Sequence, residues 1–172
     1  FIGYPMEMYY GYKTDGVFIS KEDVTQWANQ TKVTPKAVPG DIRYVDISGP
    51  DGVPDGVVDP TYDRTYIGSR IPKYTYSLNL AAKYKNFDLS AFFQGVSGVN
   101  GRLDGYVGYA FFNQGTIQKW QMDGRFNPEN PVRYPAYPRL EIVTNSGTPN
   151  TELSDFWTTN ASYLRVKNLQ LG

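Results

Sequence analysis

The 172-residue chain carries 17 basic and 17 acidic residues, so its net charge is zero and no strong positive field points to nucleic acid. It contains no cysteine and no histidine, which removes disulfides, thiolate metal sites and the imidazole of the commonest catalytic bases. No spacing of carboxylates singles out a catalytic pair, and we therefore expect a protein that is not an enzyme. The 15 tyrosines, 9 phenylalanines, 17 glycines and 12 prolines favour strands and structured loops over helices.

The ends of the chain indicate a piece of a longer protein, because Phe1 opens it and Gly172 lies within a strand-like run. No apolar run reaches the roughly 18 residues of a membrane-spanning helix, and no signal peptide is present. A membrane barrel leaves no such helical signature, so these observations leave a location in a membrane open.

Residues 1–19 mix glycine, proline and tyrosine, which favours short strands with turns at Gly3-Tyr4-Pro5 and Asp15-Gly16. Ser20 followed by Glu22-Asp23 predicts an N-capped helix of two or three turns that ends before the next proline.

Residues 39–64 carry the one metal-like pattern, in which acids, a glycine and a hydrophobic residue follow the order of calcium-binding loops. The candidate ligands for a calcium or magnesium ion are Asp46, Asp51, Asp55, Asp59 and Asp63. The pattern is imperfect, because Val53 replaces an expected acid or amide and Asp63 comes one residue late. The alternative is a solvated loop, since aspartate, glycine and proline favour turns without any metal.

The stretch from Lys73 to Gly95 alternates with a period of two and predicts two antiparallel strands joined by a two-residue turn at Lys85-Asn86. The apolar pairs set by this turn are Tyr84 with Phe87, Ala82 with Leu89, Leu80 with Ala91, and Leu78 with Phe93. The polar pairs are Lys83 with Asp88 and Ser77 with Gln94. A shift of one residue would disrupt both sets, so the register is strongly specified.

The length of the first strand fits a bilayer. From Tyr74 to Tyr84 it spans about 33 Å, or about 25 Å along the membrane normal at a tilt of about 40°, which is the height of the apolar band on outer-membrane barrels. Aromatic residues lie at both ends of its apolar face, like the aromatic girdles of such barrels. The alternative is a long hairpin buried in a soluble sandwich, because alternation is a weak signal for any one segment.

Residues 95–158 form a second long irregular stretch that is rich in aromatic residues, which suit either ligand stacking or the packing of a large loop. The candidate contacts for a substrate or partner are Tyr106, Tyr109 and Trp120. Residues 159–172 predict another strand. Its alternation changes phase near Lys167-Asn168, which indicates a bulge or an end of membrane contact.

The chain therefore divides into a loop region at 1–72, a transmembrane hairpin at 73–94, a second loop at 95–158 and a strand at 159–172. Outer-membrane barrels have short periplasmic turns and long extracellular loops. We therefore expect the Lys85-Asn86 turn in the periplasm and both loop regions outside the cell. Loops of this length are too long to be passive connections, so we expect them to fold on themselves and to carry recognition.

Several groups of motifs follow one another along nearly the whole chain. The first group is Gly3-Tyr4-Pro5, Tyr10-Gly11-Tyr12 and Asp15-Gly16-Val17-Phe18, and the second is Gly40-Asp41-Ile42-Arg43-Tyr44, Asp46, Asp55-Gly56, Asp63-Arg64 and Ile67-Gly68. The hairpin adds Pro72-Lys73-Tyr74-Thr75-Tyr76, Phe87-Asp88-Leu89-Ser90 and Phe93-Gln94-Gly95. The last are Tyr137-Pro138-Arg139-Leu140, Ser154-Asp155-Phe156-Trp157, Ala161-Ser162-Tyr163-Leu164-Arg165 and Lys167-Asn168. Together they resemble the C-terminal part of SusC/RagA-type TonB-dependent outer-membrane transporters.

The resemblance implies an all-β fold, part of a 22-stranded antiparallel transmembrane barrel with long extracellular loops and an N-terminal plug. It implies a location in the outer membrane of a Gram-negative cell and import of oligosaccharides or peptides, driven through the TonB complex. A SusD-type surface lipoprotein is the implied lid. We expect the plug, the TonB box and the final strands to lie outside this chain. The acid-rich loop, which we define as residues 46–63, departs from the family pattern by insertions at Pro50 and around Pro60-Thr61-Tyr62.

A secreted β-sandwich module that binds carbohydrate is the main alternative, because it would explain both the strands and the aromatic residues. Sandwich strands usually return every 8–12 residues, whereas long loops intervene here. A surface protease or glycosidase fragment is a third interpretation, which the absence of histidine and cysteine disfavours.

Overall fold

The computed structural model of the protein describes residue 3 and residues 5–172. It consists mostly of strands with a few short helices, as the sequence predicted. The strands are β1 (Met8–Tyr12), β2 (Thr14–Val17), β3 (Ile42–Tyr44), β4 (Arg64–Ser69), β5 (Tyr74–Tyr84), β6 (Phe87–Ser97), β7 (Asn100–Arg102), β8 (Thr158–Asn160) and β9 (Tyr163–Leu171). The α-helices are α1 (Lys21–Gln26), α2 (Gly105–Gly108) and α3 (Lys119–Gly124), and 3₁₀ turns lie at Phe112–Gln114, Pro149–Thr151 and Asp155–Trp157. The turn predicted at Gly3-Tyr4-Pro5 includes Tyr4, which lies outside the described residues.

The chain divides into two compact units. The first, which we call the sheet unit, comprises Phe1–Tyr9, Gly68–Gly101 and Thr159–Gly172. The second, the loop unit, comprises Tyr10–Ile67 and Arg102–Thr158. No helix within the described part of the chain is both long enough and apolar enough to cross a membrane.

The sheet unit is built on the antiparallel sheet β5-β6-β9. The predicted hairpin register is confirmed, with Tyr84 opposite Phe87 and Leu80 opposite Ala91, and Lys85-Asn86 forms the two-residue turn. Every predicted pair of the hairpin recurs in the structure, because the alternation leaves only one register in which apolar residues share a face.

The bulge predicted in the last strand is confirmed at Lys167. Phe92 pairs with Asn168 but the next residue, Phe93, pairs with Val166, so Lys167 is an extra residue without a direct partner. Since one extra residue shifts the alternation by one, Leu164 and Val166 share a face with Leu169 and Leu171.

The three strands therefore present one apolar face and one polar face, because directly paired residues of neighbouring strands lie on the same side of a sheet. The apolar face carries Tyr74, Tyr76, Leu78, Leu80, Ala82 and Tyr84 from β5, Phe87, Leu89, Ala91 and Phe93 from β6, and Leu164, Val166, Leu169 and Leu171 from β9. This face is open, and Leu80 at its centre is 51% exposed.

Gly95 is required where β5 and β6 meet near one end of the sheet. A Cβ at this position would lie 2.4 Å from Cε2 of Tyr76 and 2.7 Å from the carbonyl oxygen of Tyr163. Because real Cβ atoms do not approach ring or backbone atoms so closely, only glycine lets the Tyr76 ring lie over the strand.

The loop unit has a small amount of sheet, in which β2 pairs with β3 so that Val17 lies opposite Ile42. Its core is mainly aromatic and comprises Tyr12, Ile42, Tyr44, Val58, Tyr109, Ala110, Tyr137, Val143 and Trp157. Trp157 meets the rings of Tyr109 and Tyr137 edge to face at centroid distances of 5.2 and 5.6 Å. Such contacts give the unit a packed interior without large sheets.

Asn150 connects several segments of this core through its buried carboxamide. Its Oδ1 accepts a hydrogen bond from the backbone N–H of Ile42 at 2.8 Å, and its Nδ2 donates to Asp41 Oδ1 at 2.8 Å and to Glu141 Oε1 at 3.1 Å. Its own carbonyl accepts from the indole N–H of Trp157 at 2.7 Å. One side chain thus satisfies buried polar groups that no sheet ladder reaches.

The predicted N-terminal helix forms with Ser20 as its N-cap, whose hydroxyl accepts from the backbone N–H of Asp23 at 3.1 Å. It has six residues and is shorter than predicted, because Trp27 is extended and its indole donates to the carbonyl of Tyr44 at 2.7 Å. The guanidinium of Arg43 lies 3.8 Å from the centre of the Trp27 ring. The tryptophan thus holds the end of the helix against β3.

Partly buried ion pairs also hold the same helix. Arg43 pairs with the carboxylates of Asp15 and Asp23, and Arg133 donates to Asp23 at 3.1 Å. The hydroxyl of Tyr134 donates to Asp15 at 2.6 Å, and this hydrogen bond, with Arg43 beside it, lowers the pKa of Asp15. The pKa of Asp23 is lowered too, since its hydrogen bonds and the two arginines outweigh the opposing effect of its burial.

We expect the change Asn150→Ala to destabilise the loop unit by about 2–4 kcal/mol, because the buried N–H of Ile42 loses its acceptor and the carboxylates of Asp41 and Glu141 each lose one of their donors. Urea unfolding followed by tryptophan fluorescence measures this loss. The control is Asn130→Ala, at an exposed asparagine whose backbone N–H donates to the carbonyl of Asn127, a bond that the substitution keeps. Equal stability of the two variants would contradict a central role for Asn150.

Candidate functional site

The acid-rich loop is one candidate site, and Asp63 is its buried centre. Oδ1 of Asp63 accepts hydrogen bonds from the backbone N–H groups of Ile47 at 2.7 Å and Ser48 at 3.1 Å. Its Oδ2 accepts from the backbone N–H of Asp59 at 2.7 Å. Both oxygens therefore hold the loop backbone together.

Two further acids of this loop also accept from its backbone. Asp46 Oδ2 accepts from the N–H of Gly56 at 2.6 Å, and Asp55 Oδ1 accepts from the N–H of Val57 at 2.9 Å. The other oxygen of Asp46 is buried and has no hydrogen-bond partner within the described residues. Asp51 lies exposed at the tip of the loop. One buried carboxylate oxygen of the loop therefore has no donor in the described part of the chain.

Asp59 has a cation of its own. Lys32 Nζ lies 2.7 Å from Asp59 Oδ2, and the backbone N–H of Thr61 donates to Oδ1 at 2.6 Å. Two hydrogen bonds lower the pKa of Asp59 to about 2, and the one from Lys32 has a larger effect than the one from Thr61. The carboxylate is ionised at neutral pH, but a metal ion would have to displace the ammonium group.

Within residue 3 and residues 5–172, no three acidic, histidine or cysteine side chains converge in an arrangement that could hold a metal ion. The structure gives Asp63, Asp46 and Asp55 bonds to the backbone, which turn-forming aspartates make without any metal. Calcium or magnesium binding by this loop stays a prediction.

An aromatic surface on the loop unit is the second candidate site, and we define it by Tyr106 and Trp120 with Gln118 between them. The Gln118 amide donates to the carbonyl of Tyr106 at 2.8 Å and accepts from the indole N–H of Trp120 at 2.9 Å. Tyr106 is 65% exposed and Trp120 is 36% exposed. One glutamine thus joins two aromatic residues that are distant in sequence.

Buried residues support the aromatic surface from below. The Tyr106 ring meets Phe112 edge to face at 5.0 Å, and Trp120 meets the buried ring of Tyr137 at 5.7 Å. Gln121 is fully buried, donates to the carbonyl of Gly108 at 3.1 Å and accepts from the N–H of Gln118 at 2.9 Å. The exposed rings therefore lie on a rigid base, which lowers the entropic cost of binding.

The third predicted contact residue, Tyr109, lies elsewhere. It is 4% exposed, and its ring packs against Trp157 in the core. Its hydroxyl donates to the carbonyl of Thr151 at 3.2 Å, and burial raises its pKa. The structure thus gives Tyr109 a packing role and leaves Tyr106 and Trp120 as the exposed rings of the predicted set.

Sequence reasoning missed Gln118 and Gln121, which position the aromatic surface. Their contacts join α2 to α3. A polar residue in a segment without regular periodicity gives no sequence pattern that would indicate such a positioning role. The weak signal was their spacing of three residues, which suits a reciprocal cap at a helix start.

No known family model matches the chain. The chain is similar to the TonB-dependent receptor P26 of Formosa agariphila, with 27% identity over 174 residues. The match covers 99% of this chain but only 16% of that receptor, so the chain spans about a sixth of the length of its relative. This similarity relates the chain to TonB-dependent receptors.

Calcium offers a direct test of the acid-rich loop. If the loop binds it, calcium at about 100 times its dissociation constant adds about 2.7 kcal/mol to the free energy of unfolding. We expect the thermal unfolding temperature to rise with calcium and the rise to disappear in Asp46→Asn, which removes the charge beside the buried, unpaired oxygen. Asp123→Asn, an exposed acid outside this loop, is the matched control. An unfolding temperature that calcium does not change would leave only the turn interpretation.

Proposed function

We propose that the chain is part of a SusC/RagA-type, TonB-dependent outer-membrane importer of oligosaccharides or peptides. In this proposal the sheet unit is a section of a 22-stranded barrel wall, and the loop unit lies at the extracellular side. The observation that carries the proposal is the open apolar face of β5, β6 and β9 opposite a polar face.

The apolar face supports contact with lipid. It is continuous over three strands, since the rows Leu80–Ala91–Leu169 and Ala82–Leu89–Leu171 contain no polar side chain. A contiguous apolar surface of this kind marks a membrane or protein interface. The 11 residues of β5 match the roughly 9–11 residues of a tilted transmembrane strand.

Aromatic residues at both ends of the face suit the two membrane–water interfaces. Tyr84 and Phe87 flank the turn, where the Lys85 amine lies 5.4 Å from the centre of the Tyr84 ring. Tyr74 and Tyr76 begin the same strand at the opposite end. Tyrosine rings favour the membrane–water interface because they carry a polar hydroxyl group. The neighbouring Lys85 is long enough to reach the lipid headgroups.

The polar face suits the inside of a barrel. Ser77, Gln94 and Arg165 form one row across the three strands, and the hydroxyl of Ser90 donates to Gln170 at 3.3 Å. Among the strands of the described residues, β5 and β9 each pair along one edge only, with β6. Further strands of a longer protein would satisfy the free backbone groups, as a membrane location requires.

A secreted β-sandwich is the alternative from the sequence. Such a fold covers the apolar side of its sheet with a second sheet, so the central leucines of β5 would be buried. The exposure of Leu78 and Leu80 favours the membrane over the sandwich.

Recognition falls to the loop unit in this proposal. The aromatic surface formed by Tyr106, Gln118 and Trp120 suits a protein partner, because tyrosine and tryptophan bury much area at low entropic cost. We propose a SusD-type lipoprotein as this partner and the TonB complex, acting through parts outside this chain, as the energy source. We propose no enzymatic activity.

Arginine substitutions on the two faces test the membrane proposal. Leu80→Arg places a charge at the middle of the apolar face and should cost about 2–4 kcal/mol of folding free energy in lipid. The matched control is the neighbouring change Asn79→Arg, which falls on the polar face and should cost little. Folding of the full-length protein in lipid vesicles, followed by gel shift, measures both. Equal tolerance at the two positions would contradict the barrel.

Substitutions at the aromatic surface test recognition. Replacing both Tyr106 and Trp120 by serine should weaken co-purification of the lipoprotein about tenfold or more, since truncated aromatic anchors commonly cost 2 kcal/mol or more. Ile142→Ser, at an exposed apolar residue of the same unit, is the control. Cargo uptake by cells that depend on the full-length protein is the second measurement. Unchanged co-purification and uptake in the double variant would show that this surface binds no partner.

A further inference from the structure

The loop unit also contains a polar cleft of about 380 Å³ that is separate from the aromatic surface. We define the polar cleft by Arg102, Asp104, Phe112, Asn145, Ser146 and Glu152. Its volume lies within the range of about 300–1,000 Å³ that is typical of small-molecule sites.

Each charged residue that lines the polar cleft has an opposite charge beside it, and Arg64, the partner of Glu152, lies outside the lining. Arg102 Nη1 lies 3.4 Å from Asp104 Oδ2, and Arg64 Nη2 lies 3.5 Å from Glu152 Oε2. A carboxylate with a guanidinium beside it holds neither an anion nor a cation strongly. The side chains of Asp104 and Glu152 nevertheless remain 55% and 42% exposed, so they can accept hydrogen bonds from a neutral ligand.

The turn at residues 144–147 adds hydrogen-bond donors beside these carboxylate acceptors. Asn113 Nδ2 donates to Asn145 Oδ1 at 2.6 Å, which orients the Asn145 carboxamide. Neither the NH₂ group of Asn145 nor the hydroxyl of Ser146 donates a hydrogen bond to any of the described residues. Donors and acceptors at one small site suit a ligand whose groups both donate and accept, as hydroxyl groups do.

The walls of the polar cleft are fixed without a ligand. The N–H of Gly147 donates to the carbonyl of Thr144 at 2.9 Å, and Gly147 has the positive φ of 71° that this turn requires. Arg102 donates to the hydroxyl of Tyr109 at 3.1 Å, so the buried tyrosine positions the guanidinium. A preformed site loses little entropy on binding.

Phe112 supplies an apolar surface at the same place. Its ring is held by Tyr106 at a centroid distance of 5.0 Å and by Tyr109 at 6.0 Å. Small-molecule sites combine such apolar surface with a few convergent polar groups. A sugar ring offers both chemistries, since its C–H groups are apolar and its hydroxyl groups point outward.

We propose that the polar cleft binds one ring of a neutral oligosaccharide. The carboxylates of Asp104 and Glu152 accept from sugar hydroxyl groups, Asn145 donates to them, and the Phe112 ring lies against the C–H groups. This inference rests on the proposed import function and narrows its cargo from oligosaccharides or peptides to neutral oligosaccharides. A peptide fits less well, because extended peptides bind to free strand edges and side-chain pockets, whereas turn and helix-end residues line most of this cleft.

Calorimetry on the purified full-length protein tests the proposal with a panel of neutral tetrasaccharides: maltotetraose, xylotetraose, laminaritetraose and mannotetraose. Tetra-alanine and tetraglycine are the peptide probes. We expect at least one tetrasaccharide to bind and both Asp104→Asn and Asn145→Ala to weaken it about tenfold, the loss typical for one hydrogen bond to a charged or buried group. Asp123→Asn, at an exposed acid outside the polar cleft, should leave the affinity unchanged.

Three results would overturn the proposal: no tetrasaccharide binds, the cleft variants bind as tightly as the unchanged protein, or only the peptides bind. Uptake by cells distinguishes a failure of the cleft assignment from a failure of the proposed import function. If uptake of the bound tetrasaccharide requires the protein and TonB but is equal in the cleft variants, the cleft assignment alone is wrong. If cells without the protein import equally well while calorimetry shows the expected losses, the cleft assignment stands and the import proposal fails.

Discussion

The pairing of β6 with both of its neighbours is the constraint on which the sheet unit depends. Side chains alternate along a strand, so each pairing decides for a whole strand which residues share a face. The alternation in β9 is out of phase over its last residues, and the bulge at Lys167 corrects it by one position. Without this extra residue, Leu169 and Leu171 would lie on the polar face, and Asn168 and Gln170 would lie on the apolar face. A single unpaired lysine thus keeps the apolar face continuous.

The loop unit solves a different problem, because it has too little sheet to satisfy its buried backbone through strand pairing. Side chains supply the missing partners. Asn150 bonds the backbone of Ile42, Gln30 bonds the backbone of Ile42 and Tyr44, and Asp63 bonds three N–H groups of the acid-rich loop. Aromatic rings meeting edge to face then fill the interior around these polar connections. Long loops that are held by such bonds and packed rings can be rigid. Rigid loops suit recognition at a protein surface.

Two surfaces of the loop unit differ in the chemistry they offer. The aromatic surface around Gln118 exposes rings of considerable area with few polar groups, which suits a protein partner. The polar cleft around Arg102 and Asp104 offers compensated charge, donors and one ring, which suits a small neutral ligand. Phe112 belongs to the support of both, since its ring touches Tyr106 on one side and lines the cleft on the other. In the proposed importer, cargo recognition and partner binding on the same unit would therefore share a structural element.

The sequence by itself determined the hairpin register, its two-residue turn, the Ser20 cap and the bulge in β9, because each depends on residues within a short stretch of chain. It also drew attention to Tyr106 and Trp120, but it gave Tyr109 the same role, since composition does not distinguish an exposed ring from a buried one. The tertiary structure decided that Tyr109 is core, that Asp63 bonds the backbone, and that Asn145 and Asp104 line one cleft. Those outcomes depend on contacts between residues that lie well apart along the chain, such as Tyr109 with Trp157. No local periodicity encodes such contacts, and only the folded chain brings these residues together.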